Sequence, residues 1–242
     1  MALIEARKLS VPGRLQPLDL ALEAGEVLAV LGPNGSGKST LLSALSGAIP
    51  VTGQVRLAGR DAAAWAADER ARFLALQPQS VQAAWSLQVR SVVALGRLPW
   101  GDEDAEVIDQ AMRRAGIEAL AERPVDRLSG GEQARVWLAR VLAGEPKLWL
   151  ADEPIASLDL KYQRRVLDCL RGFADAGGAV MLAIHDLSLA ARYCDRFCLL
   201  DSRGRAVIGP AEAVLTEERL SEVFEVAVRV DLAAQPPVIQ AV

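Results

Sequence analysis

Glu26-Val27-Leu28-Ala29-Val30-Leu31-Gly32-Pro33-Asn34-Gly35-Ser36-Gly37-Lys38-Ser39-Thr40-Leu41-Leu42-Ser43-Ala44-Leu45-Ser46-Gly47 runs from an apolar stretch through a glycine-rich loop into a periodic segment. Residues 26–31 predict a buried strand, and the segment from Ser39 predicts a short helix closing on Gly47. Between them, Gly32 to Ser39 fits GxxxxGK[ST]. Glycines let backbone N–H groups curl around a phosphate without Cβ clashes. The following helix aims its own N–H groups and positive dipole end at the same anion. Gly32, Pro33, Asn34, Gly35, Ser36, Gly37, Lys38, Ser39 and Thr40 are therefore candidate nucleotide contacts. Lys38 is placed to reach the β- and γ-phosphates, and the Ser39 hydroxyl to ligate Mg²⁺. The loop alone says only that a nucleotide binds, since kinases and GTPases share it.

Composition narrows the setting. The 242 residues carry a net charge of −4, so no basic field draws the chain to nucleic acid. No apolar run reaches the roughly 18–20 residues of a membrane span. The start, MALIEARKLS, predicts no secretory signal. Three cysteines without a CxxC pair suit a reducing compartment and packed positions. Lysine is scarce, four against 23 arginines, and Lys38 is one of the four.

Further apolar runs at 148–151 and 179–184 predict strands, and helical patterns precede or follow them at 131–143 and 162–174. Residues 55–57 read as a strand, 61–76 as helical then extended, and 80–128 as mostly helical with a break at Leu98-Pro99-Trp100-Gly101. Segments 197–200 and 206–208 flank a hairpin turn. The tail after Gly209 predicts one or two helices and a weak extended end. Apolar strands alternating with helices argue for a parallel sheet covered on both faces, with ligands bound beyond the strands' carboxyl ends. The glycine loop, Asp152-Glu153 and His185 all follow such strands.

Leu128-Ser129-Gly130-Gly131-Glu132-Gln133 is a glycine pair at a helix N-terminus with a serine cap, a second candidate anion site. The string closely resembles LSGGQ, in its LSGGE variant, the signature of ATP-binding-cassette ATPases. The resemblance spans nearly the whole chain. It implies an α/β fold, a P-loop NTPase (RecA-like) core with an inserted helical subdomain and a small antiparallel β subdomain. Residues 1–80 and 149–210 would form the core, 81–148 the helical part with the signature, and 211–242 a C-terminal extension. It also implies ATP and Mg²⁺, and a head-to-tail homodimer in which Ser129, Gly130, Gly131 and Glu132 face the γ-phosphate held by the partner copy.

The same resemblance assigns further residues. Leu148 to Glu153 resembles the Walker B strand, with Asp152 on Mg²⁺ and Glu153 as general base for water. Ala156-Ser157-Leu158-Asp159 resembles the D-loop, which contacts the second subunit. His185, the only histidine, stands where the family keeps its switch histidine. Gln77-Pro78-Gln79 occupies the place of the Q-loop, whose glutamine touches Mg²⁺ and water. Gln79 follows the family's proline and is the choice, with Gln77 its competitor. The family stacks adenine on an N-terminal aromatic ring, yet residues 1–64 contain no Phe, Trp, Tyr or His. Arg14 stands near that place, and a guanidinium can stack on a base.

Val93-Ala94-Leu95-Gly96-Arg97-Leu98-Pro99-Trp100 is similar to the VALGRxP segment of ATPases for iron–siderophore, haem and cobalamin uptake. HDLSLAARYCD at 185–195 has a close counterpart in the siderophore group. The expectation is an importer's ATPase subunit, bound to integral membrane permease subunits at the cytoplasmic face of the inner (plasma) membrane. A periplasmic or surface substrate-binding protein would serve it indirectly. An exporter subunit or a soluble non-transport ATPase of the family is the alternative. The non-transport reading lacks the sustained heptads of a coiled-coil insertion.

Overall fold

The computed structural model describes residues 1–79, 86–156 and 158–242. An antiparallel sheet is built first, from β1 (Ala2–Val11) and β2 (Leu15–Glu23). The apolar run becomes β3 (Val27–Leu31), followed by α1 (Lys38–Ser46). Next come β4 (Thr52–Leu57), the two-residue β5 (Arg60–Asp61), α2 (Ala67–Phe73) and β6 (Leu74–Gln77). α3 (Val89–Ala94), α4 (Ala105–Ala115) and α5 (Gly130–Ala143) precede β7 (Leu148–Asp152). Then follow α6 (Leu160–Asp175), β8 (Ala179–Ala183), α7 (Leu187–Tyr193), β9 (Arg196–Leu200) and β10 (Ala206–Gly209). α8 (Ala211–Val214), α9 (Glu217–Phe224), β11 (Val228–Asp231) and β12 (Val238–Ala241) complete the chain. The helical reading of 80–128 thus holds from α3 onward, and its first residues, 80–85, lie outside the described residues.

The main sheet has the order β10-β9-β3-β8-β7-β6, parallel from β9 to β6 with β10 antiparallel at one edge. Its central strands are buried on both faces, and the period of two sorts their side chains. Val27, Ala29 and Leu31 of β3, with Trp149 and Ala151 of β7, enter a core shared with α3, α4, α5 and α6. Leu28, Val30, Leu148 and Leu150 enter a second core with α1 and the antiparallel sheet β2-β1-β4-β5.

Within that antiparallel sheet, β4 matches the strand read at 55–57, whereas the sequence pattern does not announce β1. In β1 the buried residues are Ile4, Ala6 and Leu9, and the register against β2 shifts between Ala6 and Leu9. Lys8 takes a left-handed φ of 48° at this irregularity, and Gly53 of β4 lies so close that a Cβ there would stand 2.3 Å from the Lys8 carbonyl oxygen. A bulge of this kind moves the buried set by one residue and erases simple alternation.

The cysteines pack as expected. Burial pushes the thiols of Cys194 and Cys198 up to about 12, far from any reactive range. No helix among the described residues is long and apolar enough to cross a membrane.

Candidate functional site

Register fixes the site. Val30 of β3 pairs with Ala183 of β8, Ala183 with Asp152 of β7, and Ala151 with Gln77 of β6. Four adjacent parallel strands therefore end level. The residues just beyond them, Gly32, His185, Glu153 and Gln79, meet at one edge.

The glycine loop closes tightly on itself there. Gly32 has φ 145°, and a Cβ on it would stand 2.4 Å from the Leu200 carbonyl oxygen and 2.6 Å from Ser36 Oγ. Only glycine fits. Lys38 Nζ donates to the carbonyls of Gly32 at 2.9 Å and Pro33 at 3.2 Å, so the ammonium is folded back over the loop. α1 starts from Gly37, which supplies no side-chain cap, leaving the helix's first N–H groups free of side-chain acceptors. Burial lowers the pKa of Lys38, against the opposing pull of Glu153 and Asp152.

Asp152, buried at the end of β7, has its pKa raised by burial, while the Ser39 side chain and Lys38 work the other way. Its Oδ1 and the buried Ser36 Oγ have no partner among the described residues. Buried polar atoms are rarely left so, and two beside one loop point to missing ligand groups. A buried carboxylate next to a hydroxyl is the oxygen donor set that suits Mg²⁺.

Glu153 takes a left-handed φ of 50°, unusual outside glycine, and its amide donates to the Ala183 carbonyl at 3.1 Å. The turn swings its carboxylate out of the strand direction. There it pairs with His185 Nε2 and accepts from Gln79 Nε2 at 2.6 Å. The Glu153 side chain is 11% exposed and that of His185 46%. Gln77 faces elsewhere: it is buried, and its Oε1 accepts from Trp149 Nε1 at 3.2 Å in the core. Arg14, in the β1–β2 turn, lines the same cleft as Lys38, Ser39, Thr40, Gln79 and Glu153.

The signature segment is not part of this cleft's lining. Ser129 caps α5 in a reciprocal box: its amide donates to Glu132 Oε2 at 2.8 Å, its hydroxyl donates to the same oxygen at 2.9 Å, and Oγ accepts from the Glu132 amide at 3.3 Å. The Ser129 amide and hydroxyl hold the Glu132 carboxyl below its usual range. Gly130 and Gly131 form the first turn. Asp159 caps α6, accepting from the Tyr162 amide at 3.0 Å, also away from the cleft. Ser157 of the adjoining segment lies outside the described residues.

Two features were not read from the sequence. Arg97, in the VALGRLPW segment, is buried and binds Asp102 through Nε at 2.8 Å and Nη2 at 2.9 Å, and Glu145 through Nη1 at 2.7 Å. It also stacks on Trp100, 4.9 Å from the ring centre. Beside it a groove lies between Leu95, Pro99, Trp137 and Arg140, with Leu98 68% exposed on the surface. The hydropathy of Leu98 and Trp100 is visible in the sequence, but their exposure is not.

The family described as "ABC transporter" matches residues 15–156. The hemin import ATP-binding protein HmuV of Streptomyces coelicolor is 47% identical over 222 residues, covering 89% of this chain and 79% of that protein. HmuV of Pseudomonas entomophila is 45% identical over 92% of this chain and 89% of its own length. Among solved structures, a metal-chelate type ABC transporter in an inward-facing conformation superposes with a TM-score of 0.84 at 26% identity, covering 100% of this chain and 97% of that one.

Proposed function

The chain belongs to the ABC transporter family, and from that premise we propose that it hydrolyses ATP to drive uptake of haem or a closely related metal chelate. It is an importer's ATP-binding subunit, and its partners include a membrane permease. The observation that carries the chemistry is the level ending of β3, β8, β7 and β6, which gathers Lys38, His185, Glu153 and Gln79. The cargo reading rests on the hemin-import relatives, since haem itself would not touch this subunit.

In this reading ATP lies along the loop from Gly32 to Thr40, its β- and γ-phosphates on the N–H groups of α1 and on Lys38 Nζ. Asp152, Ser39 and Gln79 hold Mg²⁺, which when bound neutralises charge on the phosphate oxygens. Glu153 accepts a proton from the attacking water. His185, on the Glu153 carboxylate, orients that water and donates to the γ-phosphate. The left-handed turn at Glu153 keeps the base aimed at the cleft before substrate arrives. Arg14 stacks on the adenine.

Ser129, Gly130, Gly131 and Glu132, with Asp159, serve the phosphate held by a second copy. Their position outside the chain's own cleft supports a two-fold sandwich, in which each site takes a loop from one copy and a signature from the other. The assembly stands at the cytoplasmic face of the membrane, with the groove at Leu95 and Trp137 and the exposed Leu98 offered to the permease, and with a substrate-binding protein on the far side. Nucleotide state then biases permease conformation through differential contacts.

The test is uptake of labelled haem, ferric siderophore and cobalamin by cells carrying Glu153→Gln in place of the wild type. Selective loss of haem uptake is the expected result. Loss confined to siderophore or cobalamin moves the cargo, and undiminished uptake of all three removes the reading.

A further inference from the structure

The tail beyond β10 folds back onto the helix that follows His185. At one end the β11–β12 hairpin is tied to α9: the Val228 amide donates to Ser221 Oγ at 2.9 Å, and the Val230 amide to Glu217 Oε1 at 3.0 Å. At the other end it is tied to α7 through one residue. The Ser188 hydroxyl donates to the Ile239 carbonyl at 3.1 Å and accepts from the Ile239 amide at 2.9 Å.

β11 and β12 form a sheet of only two strands, so β12 has one edge without a strand neighbour. An edge residue presents an N–H and a C=O that need partners. Ser188 satisfies both of those of Ile239, doing from a helix what a third strand would do. The Ile239 side chain is buried in the larger core, against which Leu187, Leu189 and Tyr193 of α7 also pack.

Ser188 is three residues from His185, separated only by Leu187 and by Asp186, whose carboxylate caps α7 at the Leu189 amide. α7 has seven residues, about two turns, so whatever fixes its first turn fixes the loop carrying the imidazole. Among the described residues no other side chain of α7 hydrogen-bonds the tail.

We infer that the C-terminal hairpin is a strap that sets the position of His185, with Ser188 as the positioning residue through which it acts. Ser188 is not among the residues lining the cleft; it holds the helix from which the imidazole reaches Glu153. The inference rests on His185 working with Glu153 in hydrolysis.

Steady-state ATPase kinetics and melting of the full chain test it, with Ser188→Ala, Ser221→Ala, Ser188→Asn and His185→Ala side by side. Ser188→Ala and Ser221→Ala each remove one tie of the same hairpin, so both lower the melting temperature. Only Ser188→Ala lowers kcat, by about tenfold, with KM for ATP within about twofold of the wild type. Ser188→Asn, whose carboxamide both donates and accepts, recovers most of that loss. Ser188→Cys, of similar size and weaker donor strength, is the milder step if the alanine variant does not fold, and it lowers kcat part of the way. Wild-type kcat in Ser188→Ala beside an inactive His185→Ala overturns the strap and leaves the reading of His185 standing. An equal kcat loss in Ser221→Ala reduces the effect to general loosening and also overturns it. A fully active His185→Ala removes the reading of His185 and the strap with it.

Discussion

Glu153 and His185 follow two neighbouring parallel strands, β7 and β8, and their side chains close on each other across the strand ends. The Glu153 amide is itself bonded to Ala183, two residues before the histidine. Backbone and side chain thus tie the same two strands at the point where chemistry is proposed. Glu153→Gln keeps the shape and removes the base. The expected loss in kcat is about 10²- to 10⁴-fold, with ATP affinity retained. Gel filtration with ATP then shows an accumulated dimer, and a monomer at every ATP concentration would speak against the sandwich.

The two glutamines flanking Pro78 separate cleanly. Gln79→Ala lowers kcat and leaves melting unchanged, because Gln79 is exposed and, among the described residues, its side chain bonds only Glu153. Gln77→Ala leaves the Trp149 indole N–H without its acceptor in the core. Its expected cost is about 1–3 kcal/mol of stability, with turnover near wild type. Paired melting curves and initial rates read both.

At the start of α5 the chain's own Glu132 carboxylate sits on Ser129. In the proposed sandwich, an incoming γ-phosphate competes with that negative charge. Glu132→Gln preserves the capping geometry and removes the charge. It is expected to lower the ATP concentration for half-maximal dimerisation by about two- to fivefold, the effect of roughly 0.4–1 kcal/mol of relieved repulsion at a helix N-terminus. Analytical ultracentrifugation in the Glu153→Gln background measures it at low and high salt, the gain shrinking as salt rises.

Asp152 is buried with one oxygen unpartnered among the described residues, and burial raises its pKa above the ordinary 3.8. The folded chain therefore keeps this proton at a pH where the unfolded chain has lost it. Stability of the nucleotide-free protein falls from this group as pH rises from 3.8 through the raised folded value. Asp152→Asn removes the desolvated charge. At pH 7 it should raise the melting temperature by roughly 2–4 °C, as about 1 kcal/mol does in a chain of this size, while abolishing Mg²⁺-dependent hydrolysis. An unchanged or lower melting temperature contradicts the reading of Asp152 as a desolvated carboxylate placed for Mg²⁺.

Arg14 lies on the rim of the cleft with no ring in residues 1–64 to replace it. Arg14→Ala is expected to weaken ATP binding by roughly 3- to 20-fold, the range of a cation–π stack on a base. Arg14→Tyr should restore it. Titration with a fluorescent ATP analogue reads the change, and equal affinity in Arg14→Ala ends the stacking idea.

What the sequence made legible was local. The loop at Gly32, the cap at Ser129 and the acids after Leu150 are short strings whose geometry follows from their own residues, and each strand before them is a plain apolar run. β1 was hidden because the irregularity at Lys8 shifts the buried set from Ile4 and Ala6 to Leu9. Gln79 was preferred to Gln77 for its place after Pro78, but that Gln77 turns inward to Trp149 follows only from the register of β6. Arg97 could be read as a subfamily label but not as a buried residue paired with both Asp102 and Glu145, since the second of these is 48 residues away in the chain. The helices and extended end of the tail were legible, but its attachment to α7 was not, since the tie between Ser188 and Ile239 spans 51 residues.

The larger core runs without a break from Val89 in α3, past Leu31 at the glycine loop, to Ile239 in the tail. Openings of different extent expose different parts of it, and only the global one exposes all of it. Those amide protons of α4 and β12 that exchange only through the global opening should slow together when nucleotide binds the intact form alone. Ligand binding at the sheet edge is, in that sense, also a clamp on the chain's farthest C-terminal strand.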